Sequence, residues 1–207
     1  MDIPLDIAIP VVVQWDKSKG GKIMEFVKPI RGIDEIEAIK NELTAQGKER
    51  ERVLFVLGIN TGLRISDILN LKWEDIETAA VKIRERKTKK IKRFILNDAA
   101  REALNTLEKG SPSAFVFESH SNRNGGEKKP WTEQYVWTVL SKAGKACGLE
   151  SIGTHSLRKT FAFHVYQKTN DLPLVQKLLN HSSAAVTLRY IGIEQADMDA
   201  CYAGLNL

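Results

Sequence analysis

Thr61-Gly62-Leu63-Arg64-Ile65-Ser66-Asp67-Ile68-Leu69-Asn70-Leu71-Lys72-Trp73 is the stretch whose reading organises the rest of this chain. Just before it, Val53 to Leu57 is an unbroken apolar run in a helical segment that begins at Glu49, as expected of a helix central to a core. Gly62 ends that helix, because glycine enters the left-handed backbone that closes an α-helix without a side-chain penalty. Arg64 then stands at the start of a short helix predicted through Leu69. Upstream, Asp34 opens a helix whose Ile36, Ile39 and Leu43 recur at helical spacing, with acidic residues in its first turn and Gly47 near its end.

Downstream, Trp73 to Ile76, Val81 to Glu85 and Phe94 to Leu96 alternate as strands do, which predicts a small three-stranded antiparallel sheet. Between the last two strands lies the tip Arg86-Lys87-Thr88-Lys89-Lys90, and eight of the twelve residues from Lys82 to Arg93 are Lys or Arg, so most of them read as a solvated or phosphate-tracking face. Asn97 or Asp98 caps a helix carrying Ala103, Leu104 and Leu107, and His120 to Lys129 is polar and glycine-containing, hence a loop. A helix from Thr132 to about Lys145 puts Tyr135, Val136, Val139, Leu140 and Ala143 on its buried side. Three more helices follow, near Ser156 to Lys168, Pro173 to Leu179 and Ser183 to Ile191. In the tail from Glu194 to Leu207, Met198, Cys201, Tyr202 and Leu205 form a stripe that has to be covered, in cis or by a neighbouring subunit. The fold class is α+β, predominantly helical.

At 207 residues the chain has length for one domain with a full core, and 43% hydrophobic with 28% charged residues exclude disorder and fibrous repeats. A net charge of +5 favours a polyanionic partner, weakly on its own. Cys147 and Cys201 sit among apolar neighbours without metal-ligand spacing and read as buried thiols in a reducing cytosol. The apolar run from Ile7 to Val13 is too short to span a bilayer, and Asp2 and Asp6 stand where a signal peptide carries positive charge, so the expected location is cytoplasmic, with no membrane attachment.

Three further segments carry chemistry: Thr154-His155-Ser156-Leu157-Arg158, Leu179-Asn180-His181 and Thr187-Leu188-Arg189-Tyr190. His155 and Arg158 lie three apart at a helix start, on one face, where the helix terminus also favours an anion. Taken singly, each reads as well as a capping histidine or a surface arginine. Together with Arg64, the set holds what is needed to break a phosphodiester: arginine forks for phosphate oxygens, histidines for protons, and a tyrosine for attack. A phenol with an ordinary pKa of about 10 is a poor nucleophile at neutral pH, so nearby positive charge has to stabilise the phenolate and the transition state.

The stretch Thr61 to Trp73, the stretch His155 to Phe161, and His181 followed nine residues later by Tyr190 closely resemble the signature boxes of the tyrosine recombinases, or phage integrase family, over roughly Ile33 to Tyr202. The resemblance implies the catalytic-domain fold of that family and a site-specific recombinase that cleaves and rejoins double-stranded DNA. Arg64 and Arg158 would bind the scissile phosphate, and Tyr190 would form a phosphotyrosyl bond to the 3′ end. His155 would assist deprotonation of the tyrosine and His181 would hydrogen-bond a phosphate oxygen. The hairpin lysine, which protonates the leaving 5′ oxygen, maps best onto Lys87, with Lys89 and Lys90 close by. Asp67 occupies an acidic position that orders the site. Asn180 stands where the family usually has glycine and Lys159 where a second histidine often follows the arginine. No cofactor and no metal are implied. The partners implied are DNA and further copies of the chain, in a nucleoid-associated tetramer joined by C-terminal helices.

Many relatives place a clamping domain of about a hundred residues, a common domain size, ahead of this one. Here residues 1–32 read as an arm or remnant linker, with 33–207 as the catalytic domain ending in an exchange helix. The chain reads either as a short recombinase or as a catalytic fragment. Competing readings are a type IB topoisomerase-like strand breaker and a DNA-binding regulator without catalysis. A metal-dependent nuclease is disfavoured because no carboxylate cluster accompanies the bases.

Overall fold

The apolar run Val53 to Leu57 lies at the centre of the molecule, each of its residues 3% exposed or less. It belongs to helix α2 (Glu49–Thr61), which packs against α1 (Ile33–Ala45), α5 (Asp98–Asn105), α6 (Glu133–Ala146) and α7 (Thr154–Thr169). Between them come α3 (Ile65–Leu69), α4 (Trp73–Ile76), β1 (Ala80–Arg84) and β2 (Ile91–Ile95); after α7 follow α8 (Leu172–Leu178), α9 (Ala184–Ile191) and α10 (Gln195–Gly204). The computed structural model describes residues 27–78, 80–119, 128–192 and 195–205. Residues 1–26 of the predicted arm (1–32) and most of the predicted polar loop lie outside the described residues.

The helix boundaries follow from local chemistry. Asn97, Thr132, Asp171 and Ser183 each accept a hydrogen bond from the backbone N–H three residues on, the N-cap that satisfies a donor the helix leaves unpaired. Gly62 closes α2 at φ 58°, and Asn180 takes φ 51° just after α8, the left-handed geometry that both residue types tolerate.

Two glycines bring α2 and α7 closer than side chains permit. A Cβ on Gly58 would lie 2.6 Å from Leu157 Cδ1, and one on Gly62 2.3 Å from Phe161 Cδ1. That approach places the beginning of the Thr61–Trp73 stretch against the first half of α7.

Among the described residues the sheet has two strands rather than three: β1 pairs antiparallel with β2, Val81 opposite Phe94 and Ile83 opposite Lys92. Trp73 to Ile76, expected as a strand, is a helical turn instead. The Asp75 carboxylate accepts from the Lys72 N–H at 2.9 Å, and the buried residues are Trp73 and Ile76. A period of two would have buried Asp75 beside Trp73, and a carboxylate there would lack water or a partner. Tyr135 also departs from expectation: it is 40% exposed, and its hydroxyl bonds Glu51 at the surface rather than entering the core. Cys201 is exposed and Cys147 half-buried, so neither is the buried thiol expected.

The apolar residues form two clusters. The larger runs from Ile30 to Leu157 and contains the α1, α2, α3, α5 and α6 cores; the smaller has Ala162, Val175, Leu179 and Ile191 buried, with Phe161, Phe163 and Tyr190 packed on it. A short strap, residues 27–31, crosses the α7–α9 side. Ile30 N–H donates to Thr160 Oγ1 at 2.8 Å, Lys159 Nζ to Val27 O at 2.6 Å, and the Arg31 guanidinium to Gly192 O. Among the described residues, no helix is long and apolar enough to cross a membrane.

Candidate active site

Arg158 joins the motif segments. It is 1% exposed, its Nη1 donates to Gly62 O at 2.6 Å, and its Nη2 donates to Leu179 O. One side chain therefore ties the residue two before Arg64 to the residue two before His181. Its Nε is buried with no hydrogen-bond partner, and so is Nη1 of Arg64. Buried guanidinium N–H groups without acceptors are costly, and an anion's oxygens would satisfy them.

Arg64 is the N-cap of α3, largely buried, and its Nη1 faces Glu85 Oε1 at 3.0 Å without the alignment of a hydrogen bond. Burial by itself would push the Glu85 carboxyl up, but the Thr88 hydroxyl, the Arg64 guanidinium and the Asn180 side chain outweigh it and hold the group below its usual range. Burial, together with Arg64, lowers Arg158 to about 10, opposed by Tyr190, Glu85 and Asp67.

His181 lies against Tyr190, ring centroids 4.5 Å apart at 68°, and its Nδ1 is 3.1 Å from Thr187 Oγ1. Burial first, then Arg158 and Arg64, push it down to about 4, so its ring is neutral at neutral pH. Tyr190 is half-buried on α9, two residues before the left-handed Gly192 that ends that helix. His155, in the first turn of α7, stays exposed to solvent; partial burial and then the charges of Lys159 and Arg158 lower its pKa.

The structure thus gathers Arg64, Arg158, His181 and Tyr190 at the junction of α2, α7, α8 and α9, with His155 on the rim. Lys87 is exposed in the hairpin turn, near enough for its charge to bear on His155.

Three residues of this neighbourhood were given no role in the site by the sequence reading. Lys92, 8% exposed, points inward from β2, its Nζ 3.4 Å from Thr61 O and 5.8 Å from the Phe94 ring centroid. Burial, with help from Arg158 and Arg64, lowers it to about 8. Glu85 is fully buried. Lys159, also 8% exposed, holds its Nζ 5.9 Å from the Tyr190 ring centroid. The signal for Lys92 lay in strand alternation: with Val81 inward and Phe94 its partner, Lys92 falls on the covered face and Ile91 on the open one.

The sequence model of the phage integrase family matches residues 33–196. A probable integrase/recombinase of Bacillus subtilis, YoeC, is 39% identical over 181 residues, which span 86% of this chain and 97% of that protein. Tyrosine recombinase XerA of Pyrococcus furiosus is 29% identical over 170 residues, 80% of this chain but only 58% of that protein. The crystal structure of XerA recombinase superposes with a TM-score of 0.66 at 21% identity, over 85% of this chain and 65% of that one. A lambda integrase dimer bound to a COC′ core site gives 0.63 at 24% identity, over 86% of this chain and 52% of that one. At those identities the structural likeness speaks for the fold; the family follows from the sequence match and the Bacillus relative. The chain belongs to the phage integrase family, the tyrosine recombinases, and the matched residues are its catalytic domain.

Proposed function

We propose that this protein is a site-specific DNA recombinase that cleaves one strand through Tyr190 and rejoins it to a new partner. The Tyr190 oxygen attacks the phosphorus and the bond to the 5′ oxygen breaks, leaving a 3′-phosphotyrosyl link and a 5′ hydroxyl. The reverse attack reseals the strand without ATP, since the phosphodiester energy is kept in the covalent link. Arg64 and Arg158 neutralise the phosphate in the transition state, where donors of this kind contribute on the order of 3–4 kcal/mol. His181, neutral, has Nδ1 engaged with Thr187 Oγ1, which leaves Nε2 for a phosphate oxygen; with the ring proton on Nε2 it donates there. His155 assists the phenol proton, and Lys87 protonates the leaving 5′ oxygen.

The observation that carries this reading is the Arg158 junction, which joins the Arg64 and His181 segments, with the His181 ring against Tyr190, around the unpartnered Nε of Arg158. Charge supports it too. Arg64, Arg158, Lys92 and Lys159 against Asp67 and Glu85 leave the neighbourhood net positive, the sign that attracts a phosphodiester.

The partner is double-stranded DNA on the nucleoid in the cytoplasm, and the working form is a tetramer. Tyr202, 80% exposed, and Leu205, 64% exposed, support the second point, because the end of α10 and the residue after it present apolar surface that nothing among the described residues covers. Residues 1–32 serve as an arm ahead of a catalytic domain, 33–207, that ends in an exchange helix.

The test is a denaturant-resistant adduct. Incubated in chelator with a library of nicked random duplexes, the protein is expected to trap DNA covalently, and sequencing the trapped duplexes identifies the cut site. Tyr190→Phe is expected to form no adduct while still binding DNA. An adduct that persists in that variant overturns the assignment and directs attention to Tyr202.

A further inference from the structure

We propose that Glu85 is a positioning residue of the cleavage reaction, anchoring the hairpin to Arg64 so that Lys87 is presented to the leaving oxygen. The inference rests on the reading of Lys87 as the proton donor and adds what places it.

Lys87 sits between two residues that carboxylates hold. On one side, the Arg86 N–H donates to Asp67 Oδ1 at 2.8 Å; on the other, the Thr88 hydroxyl donates to Glu85 Oε2. Both acids are buried, Asp67 at 4% exposure and Glu85 at 0%, whereas Lys87 between them is open to solvent. Glu85 also closes the turn with its backbone: its N–H donates to Lys90 O and its carbonyl accepts from the Lys89 N–H, both at 2.9 Å. Its Oε1 meets Arg64 at 3.0 Å, and the Asn180 side chain favours its charged form from the His181 side. A single carboxylate thus touches the hairpin, the Arg64 segment and the segment before His181.

Electrostatics argue that this carboxylate is there for geometry. A buried negative charge beside Arg64 repels an incoming phosphate, and a neutral residue of the same shape would leave the pocket more attractive to DNA. Retaining the charge costs binding and gains a fixed hairpin, so the two quantities part when it is removed.

The experiment uses the duplex recovered by the adduct trap, in two forms: the natural phosphodiester, and one with sulfur replacing the bridging 5′ oxygen at the cut. In the second, the phosphorus–sulfur bond breaks and the thiolate leaves with its electron pair, needing no proton. Glu85→Gln is expected to bind DNA at least as tightly as the unaltered protein. It is expected to form the adduct about 10- to 100-fold more slowly on the oxygen duplex, a share of what a general acid supplies, and at near-normal rate on the sulfur duplex. Equal slowing on both duplexes, or no slowing on the oxygen duplex, overturns the proposal. Lys87→Ala run beside it separates the two readings. If sulfur fails to restore Lys87→Ala, the donor assignment falls and takes the proposal with it; if sulfur restores Lys87→Ala and not Glu85→Gln, the Glu85 inference alone falls. Should Glu85→Gln not fold, Thr88→Val, which removes only the hydroxyl contact, carries the same test with a smaller expected loss.

Discussion

Arg64, Lys92 and the hairpin rest on the larger apolar cluster, built around α2, while His181 and Tyr190 rest on the smaller one, where the residues fully buried among those described are Ala162, Val175, Leu179 and Ile191. Helix α7 belongs to both, with Leu157 in the first and Ala162 in the second, and Arg158 lies between them. Local stability follows buried apolar contact, so Arg64 is set in the firmer region and the attacking Tyr190, with His181 beside it, in the looser one, and Arg158 bridges the two. A recombinase has reason for that division. The grip has to be preorganised for the transition state, whereas the nucleophile has to approach, bond, wait and withdraw.

The severest way to break this arrangement is to remove the residue that spans it. Arg158→Ala leaves the Gly62 and Leu179 carbonyls without donors, and unmet buried acceptors cost about 1–3 kcal/mol each. Adduct formation is expected to fall on the order of 100- to 1000-fold or more, the loss typical of one such donor, alongside a marked drop in melting temperature. Lys159→Ala, one residue on, is expected to lose far less in the adduct assay; equal losses in the two variants would refute the clamp role of Arg158.

A matched pair of truncations sharpens the contrast. Leu57→Ala in the larger cluster and Leu179→Ala in the smaller both hollow out sites of 0% exposure, a change that costs roughly 2–5 kcal/mol in a well-packed core. The first is expected to lower the global unfolding free energy by that amount. Leu179→Ala is expected to speed amide hydrogen exchange in α8 and α9 while leaving α1 and α2 nearly as protected as before. Uniform loss of protection would mean one cooperative core and erase the distinction.

Acid and alkali should act on opposite regions. His181, ordinarily at 6.5, lies at about 4 in the folded protein, so across that window the unfolded chain binds more protons and stability falls as the pH drops. Lys92 lies at about 8 against an ordinary 10.5; in that window too the unfolded chain holds the extra proton, and stability rises with pH. Denaturant unfolding of His181→Asn is expected to lack part of the acid-side loss. Lys92→Met is expected to lack part of the alkaline-side gain and to be the more stable protein at neutral pH. Retention of both slopes in the variants would assign them to other groups. These are the smallest of the expected effects.

Much of this was legible before any coordinates. The Val53 to Leu57 run, the Gly62 terminus and the capping residues are local signals, and local signals survive folding. Arg64, Arg158, His181 and Tyr190 were legible as a set because their spacing resembles one family, although each alone had a plain structural reading. What stayed hidden depends on partners distant in sequence. Lys92 reads as one more surface base in a run of eight, and only the pairing of Ile83 with Lys92 turns it inward. Glu85 reads as the end of a strand until Arg64 and Thr88 are seen to share its carboxylate. The four residues from Trp73 to Ile76 are too few for periodicity to choose between strand and helix, and the Asp75 cap made the choice.

The strap at residues 27–31 bears on handling of the nucleophile from outside the domain. Arg31 holds the carbonyl of Gly192, and a Cβ on Gly192 would sit 3.1 Å from Pro29 Cγ, so the chain entering the domain and the chain leaving α9 press on the same spot. Tension applied to the polypeptide ahead of Val27 therefore reaches α7 through Lys159 and Thr160 and α9 through Gly192, two residues from Tyr190. The entry point doubles as a lever arm: a load placed there bears at once on the attacking helix and on the helix that carries Arg158.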